Sequence, residues 1–391
     1  MINNIIFIQS HPIQYNAPFY VFAASNGLKF QVFYCSKEGV EESLDKQFGQ
    51  VIKWDIPLLT GYPHEFLKNS SFKPSIHAGF FGLFNLGLIR KLKNTSPSLV
   101  VVPGWNYASY WISIIAAKWY GHKVALRSET PHNQEFAKKF LKKSIRFFIL
   151  KHILFKLVDY FLYIGTENYK FYKSFGVNNS KLRFVPYFVD NFRFQEDYTK
   201  LKGLKDDLRL SLGIDPSKIV ILFSGKYISK KRPLDLLSAY NALSGTKKIV
   251  LIMMGEGNLR GEMMDYINQN DLRERVILTG FINQRDIVKY YAVADVFVMS
   301  SGIGETWGLS VNEALNFNLK LVVSDLTGCS KDLVVDEHTG WIYKSGNVED
   351  LTEKLSLAVN NHKVNQDFRK ELLEKYSYRT GFENLKELIN S

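Results

Sequence analysis

The feature that most constrains the fold is an alternation of short apolar runs with segments of helix length, repeated through the 391-residue chain. Several runs are nearly continuous in Val, Ile, Leu and Phe, as expected of parallel strands covered by helices on both faces. The alternation predicts β–α–β units and doubly wound sheets of the α/β class. The runs begin at Asn3, Lys29, Ser98, Lys123, Tyr160 and Leu182 in the first half and at Lys218, Lys248, Arg275, Asp295 and Leu319 in the second.

A polar stretch, residues 189–218, separates the two series of runs and breaks their rhythm. A chain of this length is long for one core and comfortable for two domains. We therefore predict domains over 1–195 and 206–372, with a final helical segment, 373–391, that can cross back to the first domain. Two such domains facing one another leave a cleft at the carboxyl ends of both sheets, where ligands of this class bind.

Composition excludes several classes of protein. Hydrophobic residues make up 46% and charged residues 23% of the chain, which argues against large-scale disorder. Cys35 and Cys329 are too few for a disulfide framework or a zinc ligand set, so a reduced, cytoplasmic setting is expected. The first residues lack a basic segment and a cleavage site, and they are interpreted as a first buried strand instead of a signal peptide.

The formal net charge is +12, and the block 135–160 is the densest in cations. Charged residues interrupt its apolar stretch, so it is not predicted to span a bilayer. At helical spacing, its cations fall beside large apolar side chains, as in a helix lying at the inner membrane surface. An ordinary domain helix with one solvated face explains the same pattern, and both interpretations stay open. The cations at its start are Lys138, Lys139, Lys142, Lys143 and Arg146.

The loop "FSGKYISKKRP" follows the first strand of the second series and is crowded with cations. Lys226, Lys230, Lys231 and Arg232 repel one another unless water or an anion screens them, so an anion is a natural partner. Cations fixed opposite a diphosphate stabilise the charge that builds as it leaves. The alternative is a solvated basic loop.

A second loop, "SSGIGETWGLSVNE", contains three glycines and two separated carboxylates. Without side chains at Gly302, Gly304 and Gly308, backbone amides can reach phosphate oxygens, and a helix beginning near Gly308 adds its positive end. If the interval were fully helical, Glu305 and Glu313 would lie ~12 Å apart along its axis, too far to share a proton. They fit two hydroxyl-bearing ends of one extended ligand with phosphates between, which is the layout of a nucleotide-sugar.

The E-x7-E spacing, preceded by the Gly-Lys…Lys loop, resembles the retaining GT-B glycosyltransferases of the large family that includes sucrose, mannosyl and lipopolysaccharide transferases. "HPIQYNAPFY", "PGWNY", "GTENYKFYKSFGV" and "VPYFVDN" are similar to bacterial members that build surface polysaccharides. The resemblance implies the GT-B fold, two Rossmann-like domains facing a central cleft, with a UDP- or GDP-sugar donor and a glycan or lipid-linked acceptor. UDP is mildly favoured.

The resemblance also implies roles for residues of the second half. Glu305 would contact the donor sugar and Glu313 the ribose, while Lys226 and Lys231 would hold the diphosphate. Lys226 replaces the Arg that is commoner in the family, a point charge in place of a bidentate fork. The other positions predicted to bind the nucleotide-sugar are Gly225, Gly255, Phe281, Gly304, Thr306, Trp307, Gly308 and Leu309.

The mechanism implied by the resemblance is attack on the face from which the diphosphate leaves, with the diphosphate taking the acceptor proton. Glu305, Lys226 and Lys231 are the predicted catalytic residues, acting by position and electrostatics. Retention of the anomeric configuration follows. No D-x-D pattern occurs in a suitable place, because Asp206–Asp207 falls in a linker helix, and no metal or other cofactor is predicted.

The first half is expected to bind the acceptor. His11 and Gln14 occupy the first strand-to-helix turn, where many relatives carry a Gly-rich loop that this chain lacks. His11 is alternatively a capping or core histidine. Arg127, Glu129 and His132 follow another strand, and Glu129 is the first choice for a contact on the acceptor or sugar side.

Two other functions are considered. A nucleotide-sugar 2-epimerase shares the architecture but needs an acid and a base at the sugar C2, which the sequence does not reveal. A basic protein that binds nucleic acid or membrane needs cations interleaved with exposed aromatic residues, for which block 135–160 is the candidate. Nucleic acid is not a predicted partner, and the glycosyltransferase interpretation is preferred.

Overall fold

The computed structural model describes residues 2, 4–40, 43–45, 50–52, 54–137, 140–243 and 248–390. Lys138 and Lys139 of the predicted basic helix lie outside these ranges. The chain forms two compact units. The first comprises Met1–Ser43, Ile56–Tyr187 and Tyr378–Ser391, and the second comprises Leu44–Asp55 and Phe188–Ser377. The structure therefore divides the chain at Tyr187 and again at Ser377, whereas the limits predicted from sequence were 1–195, 206–372 and 373–391.

The first unit contains, within the described residues, a parallel sheet of seven strands. Strands in this half of the chain are β1 (Ile5–Gln9), β2 (Phe30–Tyr34), β3 (Ser43–Asp45), β4 (Gln50–Ile52), β5 (His64–Phe66), β6 (Leu99–Val102), β7 (Lys123–Leu126), β8 (Tyr160–Tyr163) and β9 (Leu182–Phe184). The sheet order is β5-β2-β1-β6-β7-β8-β9, and β3 pairs separately with β4. The helices up to residue 174 are α1 (Ala17–Ser25), α2 (Gly87–Lys93), α3 (Ala108–Trp119), α4 (Phe140–His152) and α5 (Thr166–Ser174).

The second unit contains a parallel sheet of six strands within the described ranges, in the order β12-β11-β10-β13-β14-β15. Its strands are β10 (Ile219–Ser224), β11 (Ile249–Met254), β12 (Val276–Gly280), β13 (Val296–Met299), β14 (Lys320–Ser324) and β15 (Gly340–Tyr343). Its helices are α6 (Asn191–Leu201), α7 (Lys205–Ser211), α8 (Pro233–Leu243), α9 (Arg260–Gln269), α10 (Ile287–Val293), α11 (Leu309–Asn316), α12 (Ser330–Leu333), α13 (Val348–Asn360) and α14 (Gln366–Lys375). A last helix, α15 (Tyr378–Asn390), belongs to the first unit, where Phe382 packs edge-on against Phe22 of α1.

Every apolar run that predicted a strand contains one, and the α/β class is confirmed. The almost fully buried sequences IVILFS of β10 and IVLIMM of β11 show why, since strands covered on both faces need no polar alternation. Strands β3, β4, β5 and β15 were not predicted. The sequence HEF of β5 is short and partly polar, and GWIY of β15 begins with a glycine, which is depleted in strands.

The strand orders locate the ligand-binding edge of each sheet. In the second unit, chain connections run outward from β10 toward β11 on one side and from β13 toward β14 on the other. Such a reversal leaves a crevice outside the carboxyl ends of the two central strands, where open α/β sheets bind ligands. The loops after β10 and β13 are the two predicted to hold a nucleotide-sugar. In the first unit the reversal falls between β1 and β6.

Helix α4 corresponds to the predicted basic helix. Leu150 is buried, whereas Ile145 and Phe148 are 53% and 60% exposed. Arg146 forms an ion pair with the carboxylate of Glu135. No helix within the described residues is both long and apolar enough to cross a bilayer. Contact of this helix with a membrane surface stays a prediction.

A buried ionic network fixes helix α7 to the second sheet. The carboxylate of Asp295 accepts hydrogen bonds from Arg209 Nη2 at 2.6 Å, from Lys205 Nζ at 2.8 Å and from the Val220 amide at 2.8 Å. Arg209 also donates to the carbonyl of Val293. The network joins α7 to the beginnings of β10 and β13, the strands that carry the two loops.

We expect Arg209→Met to lower the free energy of unfolding by about 3 kcal/mol, because removing one partner leaves a buried carboxylate poorly compensated. Chemical denaturation of both proteins measures the difference. Lys200→Met is the matched control, since its pair with Glu196 on α6 is exposed and should change stability by less than about 0.5 kcal/mol. Equal losses in the two variants would contradict the assignment.

Candidate active site

The basic loop after β10 is held by a buried tyrosine. The Tyr227 amide donates to the carbonyl of Glu256 at 2.8 Å, and the Tyr227 carbonyl accepts from the Leu259 amide at 3.0 Å. The phenol of Tyr227 donates to the Met253 carbonyl at 2.6 Å. Lys226 is half-buried and directly precedes Tyr227. The hydrogen bonds of Tyr227 therefore hold the backbone next to Lys226 against the residues at the end of β11.

Two glycines predicted to bind the nucleotide-sugar contact each other. Gly255 has a φ of +149°, and a Cβ there would lie 1.9 Å from the Gly225 carbonyl oxygen. No other residue fits at this position. The Gly255 amide donates to the carbonyl of Gly280, the neighbour of Phe281. The carboxyl ends of the neighbouring strands β10, β11 and β12 are thus followed directly by Gly225, Gly255 and Phe281.

The glycines after β13 each allow a close packing contact. The Gly302 amide donates to the Lys230 carbonyl at 2.7 Å. Gly304, with a φ of +100°, lies against the Lys230 side chain, where an added Cβ would be 3.4 Å from Cδ. Gly308 has a φ of +101°, and a Cβ there would meet the Thr327 methyl group at 2.8 Å. The glycine pattern therefore has a packing origin as well as the predicted role in exposing amides.

Glu305 is the centre of this arrangement. Its side chain is nearly buried, and Oε2 accepts from Lys231 Nζ at 2.5 Å. Lys230 Nζ lies 3.6 Å from the same oxygen, and the Ser301 hydroxyl donates to it at 3.3 Å. Burial raises the pKa of the Glu305 carboxyl, but the ammonium groups of Lys231 and Lys230, with the hydrogen bonds from Lys231 and Ser301, lower the pKa below its ordinary value overall.

Two ammonium groups therefore share one carboxylate oxygen, and Lys226 precedes both lysines on the same loop. The Lys230 side chain is 39% exposed, against 16% for Lys231. The site carries more positive than negative charge, which favours an anion. The pairing of Lys231 with Glu305 was not predicted, because the two residues are 74 positions apart.

Helix α11 begins at Leu309, as predicted, and no side chain caps its start. Its amides present the positive end of the helix at the loop that carries Glu305. Glu313 is buried, and its Oε2 accepts from the Tyr291 hydroxyl at 2.7 Å. The indole of Trp307 is also buried and donates to Asn312, whereas Thr306 and Leu309 are half-buried.

The Phe281 ring, predicted to bind the nucleotide-sugar, has an aromatic neighbour within the second unit. Trp54 lies edge-on to it at 6.2 Å between ring centroids. The next residue, Asp55, accepts from the Arg285 amide at 3.0 Å. Trp54 and Phe281 are far apart in the chain, so no local pattern indicated this contact.

Two groups of polar residues lie at the carboxyl edge of the first unit's sheet. His11 bonds through Nδ1 to the Ser10 hydroxyl at 2.9 Å. Burial lowers the pKa of His11, the carboxylate of Glu38 partly offsets this, and His77 lowers the pKa further. Gln14 is half-buried in the same turn.

The second group joins two predicted residues through one that was missed. The Tyr187 hydroxyl donates to Glu129 Oε1 at 2.7 Å, and the Arg127 guanidinium lies over the Tyr187 ring, 5.0 Å from its centroid. Tyr187 lies in the quoted "VPYFVDN", so a signal for it existed. His132 is exposed in a short 3-10 helix, His132–Ala137.

Among the residues that the structure describes, no group of three or more His, Cys, Asp or Glu is placed to hold a metal ion. Asp206 and Asp207 lie in the first turn of α7.

Comparisons with known proteins indicate the family and the fold. The family model described as "Glycosyl transferases group 1" matches residues 205–374. The chain is 24% identical over 290 residues to a Campylobacter jejuni N,N'-diacetylbacillosaminyl-diphospho-undecaprenol alpha-1,3-N-acetylgalactosaminyltransferase, covering 72% of this chain and 73% of that enzyme. An uncharacterized glycosyltransferase of Methanocaldococcus jannaschii is 26% identical, and the match covers 44% of this chain and only 45% of that protein.

Among solved structures, Anabaena Alr3699/HepE in complex with UDP superposes with a TM-score of 0.74 at 14% identity, over 99% of both chains. A likeness at this identity establishes the fold. Residues 205–374 of the second unit therefore match the glycosyl transferases group 1 family, and the chain has the GT-B fold.

The lowered pKa of Glu305 makes stability depend on pH. A carboxylate with a folded pKa below the ~4.3 of an unfolded Glu stabilises the native state above that pH and loses this contribution as the pH falls through the folded pKa. We expect the wild type to lose melting temperature more steeply below roughly pH 5 than Glu305→Gln does. Thermal unfolding across pH measures this, with Glu196→Gln as an exposed control. If the melting temperatures of the wild type and Glu305→Gln fall equally steeply at acid pH, the lowered pKa of Glu305 does not contribute to stability.

Proposed function

We propose that this chain is a retaining glycosyltransferase that moves a sugar from a UDP- or GDP-sugar to a glycan or lipid-linked acceptor in bacterial surface polysaccharide synthesis. The observation that carries the proposal is the convergence of Lys230 and Lys231 on Glu305 beside the uncapped start of α11. Surplus cations and the positive end of a helix suit a diphosphate, and a carboxylate among them suits the hydroxyls of the attached sugar. The Campylobacter jejuni relative is named for an undecaprenol-linked substrate, which supports a lipid-linked acceptor.

In this proposal the lysines and the amides of Gly304–Gly308 hold the diphosphate. Lys230 is more exposed and farther from Glu305 than Lys231. The Lys230 side chain turns to the phosphate oxygens when the donor binds. Lys231 and Lys226 supply the other positive charges around the diphosphate. The Glu305 carboxylate, which then interacts with one lysine fewer, is able to accept hydrogen bonds from the donor sugar. Glu313 binds the ribose after exchanging its bond from Tyr291.

The reaction breaks the bond between the anomeric carbon and the diphosphate oxygen. The acceptor oxygen forms a new bond to that carbon on the same face, and its proton passes to the departing diphosphate. The lysines and amides stabilise the charge on the leaving group, so the protein contributes position and electrostatics. The configuration is retained, and the reaction proceeds without an added divalent ion.

The acceptor is assigned to the first unit. Glu129 and Tyr187 offer an acceptor and a donor of hydrogen bonds at one place, with Arg127 beside them. His11 and Glu38 supply a second polar group. Such groups suit sugar hydroxyls. The enzyme is proposed to work at the inner face of the cell membrane, where a lipid-linked glycan would be presented.

We expect Glu305→Gln to lower the transfer rate by about 100-fold or more, because the contact with the donor sugar is lost at the reacting end. Glu313→Gln should instead raise the Kd for UDP about tenfold, with a smaller change in rate. Transfer from radiolabelled UDP-sugars in EDTA and calorimetry with UDP measure the two effects.

Glu353→Gln on α13, whose side chain is 64% exposed, is the matched control. NMR of the product reports its configuration. An inverted linkage, activity that only magnesium restores after EDTA, or epimerisation of UDP-GlcNAc alone would each contradict the proposal.

Lys230 has a separate test. We expect Lys230→Gln to raise the Kd for UDP about tenfold and to leave the Kd for uridine unchanged, since only the diphosphate contacts the ammonium. Lys230→Arg should retain most affinity. Gly304→Ala should weaken UDP binding in the same direction, because its Cβ would crowd the Lys230 side chain in a left-handed backbone conformation.

Lys289→Gln in the same unit is the control, as its pair with Asp286 is exposed. If uridine and UDP lose affinity equally in Lys230→Gln, the ammonium does not contact the phosphates.

A further inference from the structure

The first unit contains a long segment that carries positive charge only. Residues 66–128 include no Asp or Glu, yet they hold many cations and several exposed apolar side chains. The segment covers the loop after β5, helices α2 and α3, and strands β6 and β7. Its cations are Lys68, Lys73, Arg90, Lys91, Lys93, Lys118, Lys123 and Arg127.

Helices α2 and α3 each carry a row of exposed side chains at helical spacing, and the two rows are neighbours. On α2, the buried Leu88 and Leu92 face the core, so Ile89, Arg90 and Lys93 lie outside at helical spacing. On α3, Ile115 and Trp119 are one turn apart and are 54% and 81% exposed.

The two rows meet at a shallow groove of about 290 Å³ that Ile89, Ile112, Ile115 and Trp119 line. Leu86, at the start of α2, is 49% exposed. We name this surface the α2–α3 face; it consists of Leu86, Ile89, Arg90, Lys93, Ile115 and Trp119.

The charges at the edge of the α2–α3 face are not all neutralised locally. Lys91 pairs with Glu65 at 2.6 Å, and Lys118 pairs with Asp159 at 2.9 Å. Arg90 and Lys93 form no ion pair with any residue that the structure describes. An exposed apolar patch with cations at its edge has the composition of surfaces that enter the headgroup region of a bilayer.

We propose that the α2–α3 face docks the first unit onto an anionic lipid bilayer. Trp119 and the aliphatic side chains would enter the interface, while Arg90 and Lys93 would contact acidic headgroups. This surface differs from helix α4, where Arg146 is paired with Glu135. The inference extends the proposed function by stating where a membrane-borne acceptor would be met.

Two other occupants fit less well. A two-fold contact with a second copy would set Arg90 and Lys93 against the same cations of the partner copy, which is repulsive. Single-stranded nucleic acid needs aromatic rings for stacking bases, and this face is mainly aliphatic.

The test is cosedimentation of the full chain with vesicles of phosphatidylcholine containing roughly 30% phosphatidylglycerol, compared with phosphatidylcholine alone. We expect the wild type to bind the anionic vesicles and to leave them as salt is raised. The double variant Ile115→Asn/Trp119→Gln and the double variant Arg90→Gln/Lys93→Gln should each reduce the partition coefficient about tenfold.

Ile145→Asn/Phe148→Gln on α4 is the matched control and should bind as the wild type does. The proposal is overturned if the wild type stays in the supernatant with both vesicles, if both variants of the α2–α3 face keep full binding, or if only the α4 variant loses it. It is also overturned if sedimentation velocity shows a wild-type dimer that Trp119→Gln dissociates.

Unchanged melting temperatures establish that the variants are folded. Vesicle binding needs no donor. A wild type that binds UDP but not the vesicles therefore refutes the α2–α3 face alone, whereas a wild type without affinity for UDP refutes the proposed function.

Discussion

The contact of Lys231 with Glu305, at 2.5 Å, joins the two loops on which the donor-site assignment depends. One loop follows β10 and the other follows β13, the strands that meet where the order of the second sheet reverses. The nearly buried carboxylate is kept ionised by two ammonium groups, and the ammonium groups are held close together by the carboxylate. Each charge would be costly at this position without the other.

The neighbouring backbone is shaped around this contact. Gly302 leaves space for the Arg232 side chain and Gly304 for the Lys230 side chain, and Gly255 lets the end of β11 approach Gly225. Tyr227 then fastens the basic loop to the following strand exit. The same glycines that predicted a phosphate-binding loop therefore also serve packing, and the two uses are compatible because a backbone without side chains can approach both a lysine and a ligand.

Positive charge is distributed unevenly over the first unit, and this distribution underlies the proposed membrane contact. The segment 66–128 lacks acidic residues, and the apolar outer faces of α2 and α3 lie within it. Block 135–160 was a candidate for membrane contact in the sequence because its cations are adjacent along the chain. The structure pairs Arg146 with Glu135 there, and it assembles the α2–α3 face from two helices whose separate patterns are weak.

The sequence alone determined the α/β class, the strands β1, β2 and β6 to β14, the helix that begins after Gly308, and the family resemblance. These features follow from local patterns, since continuous apolar runs and glycines at strand exits act within a few residues. Tertiary structure decided the pairing of Lys231 with Glu305, the bond from Tyr291 to Glu313 and the contacts of Tyr187 with Arg127 and Glu129. Those partners are tens of residues apart, and only the order in which parallel strands assemble brings their carboxyl ends to one edge.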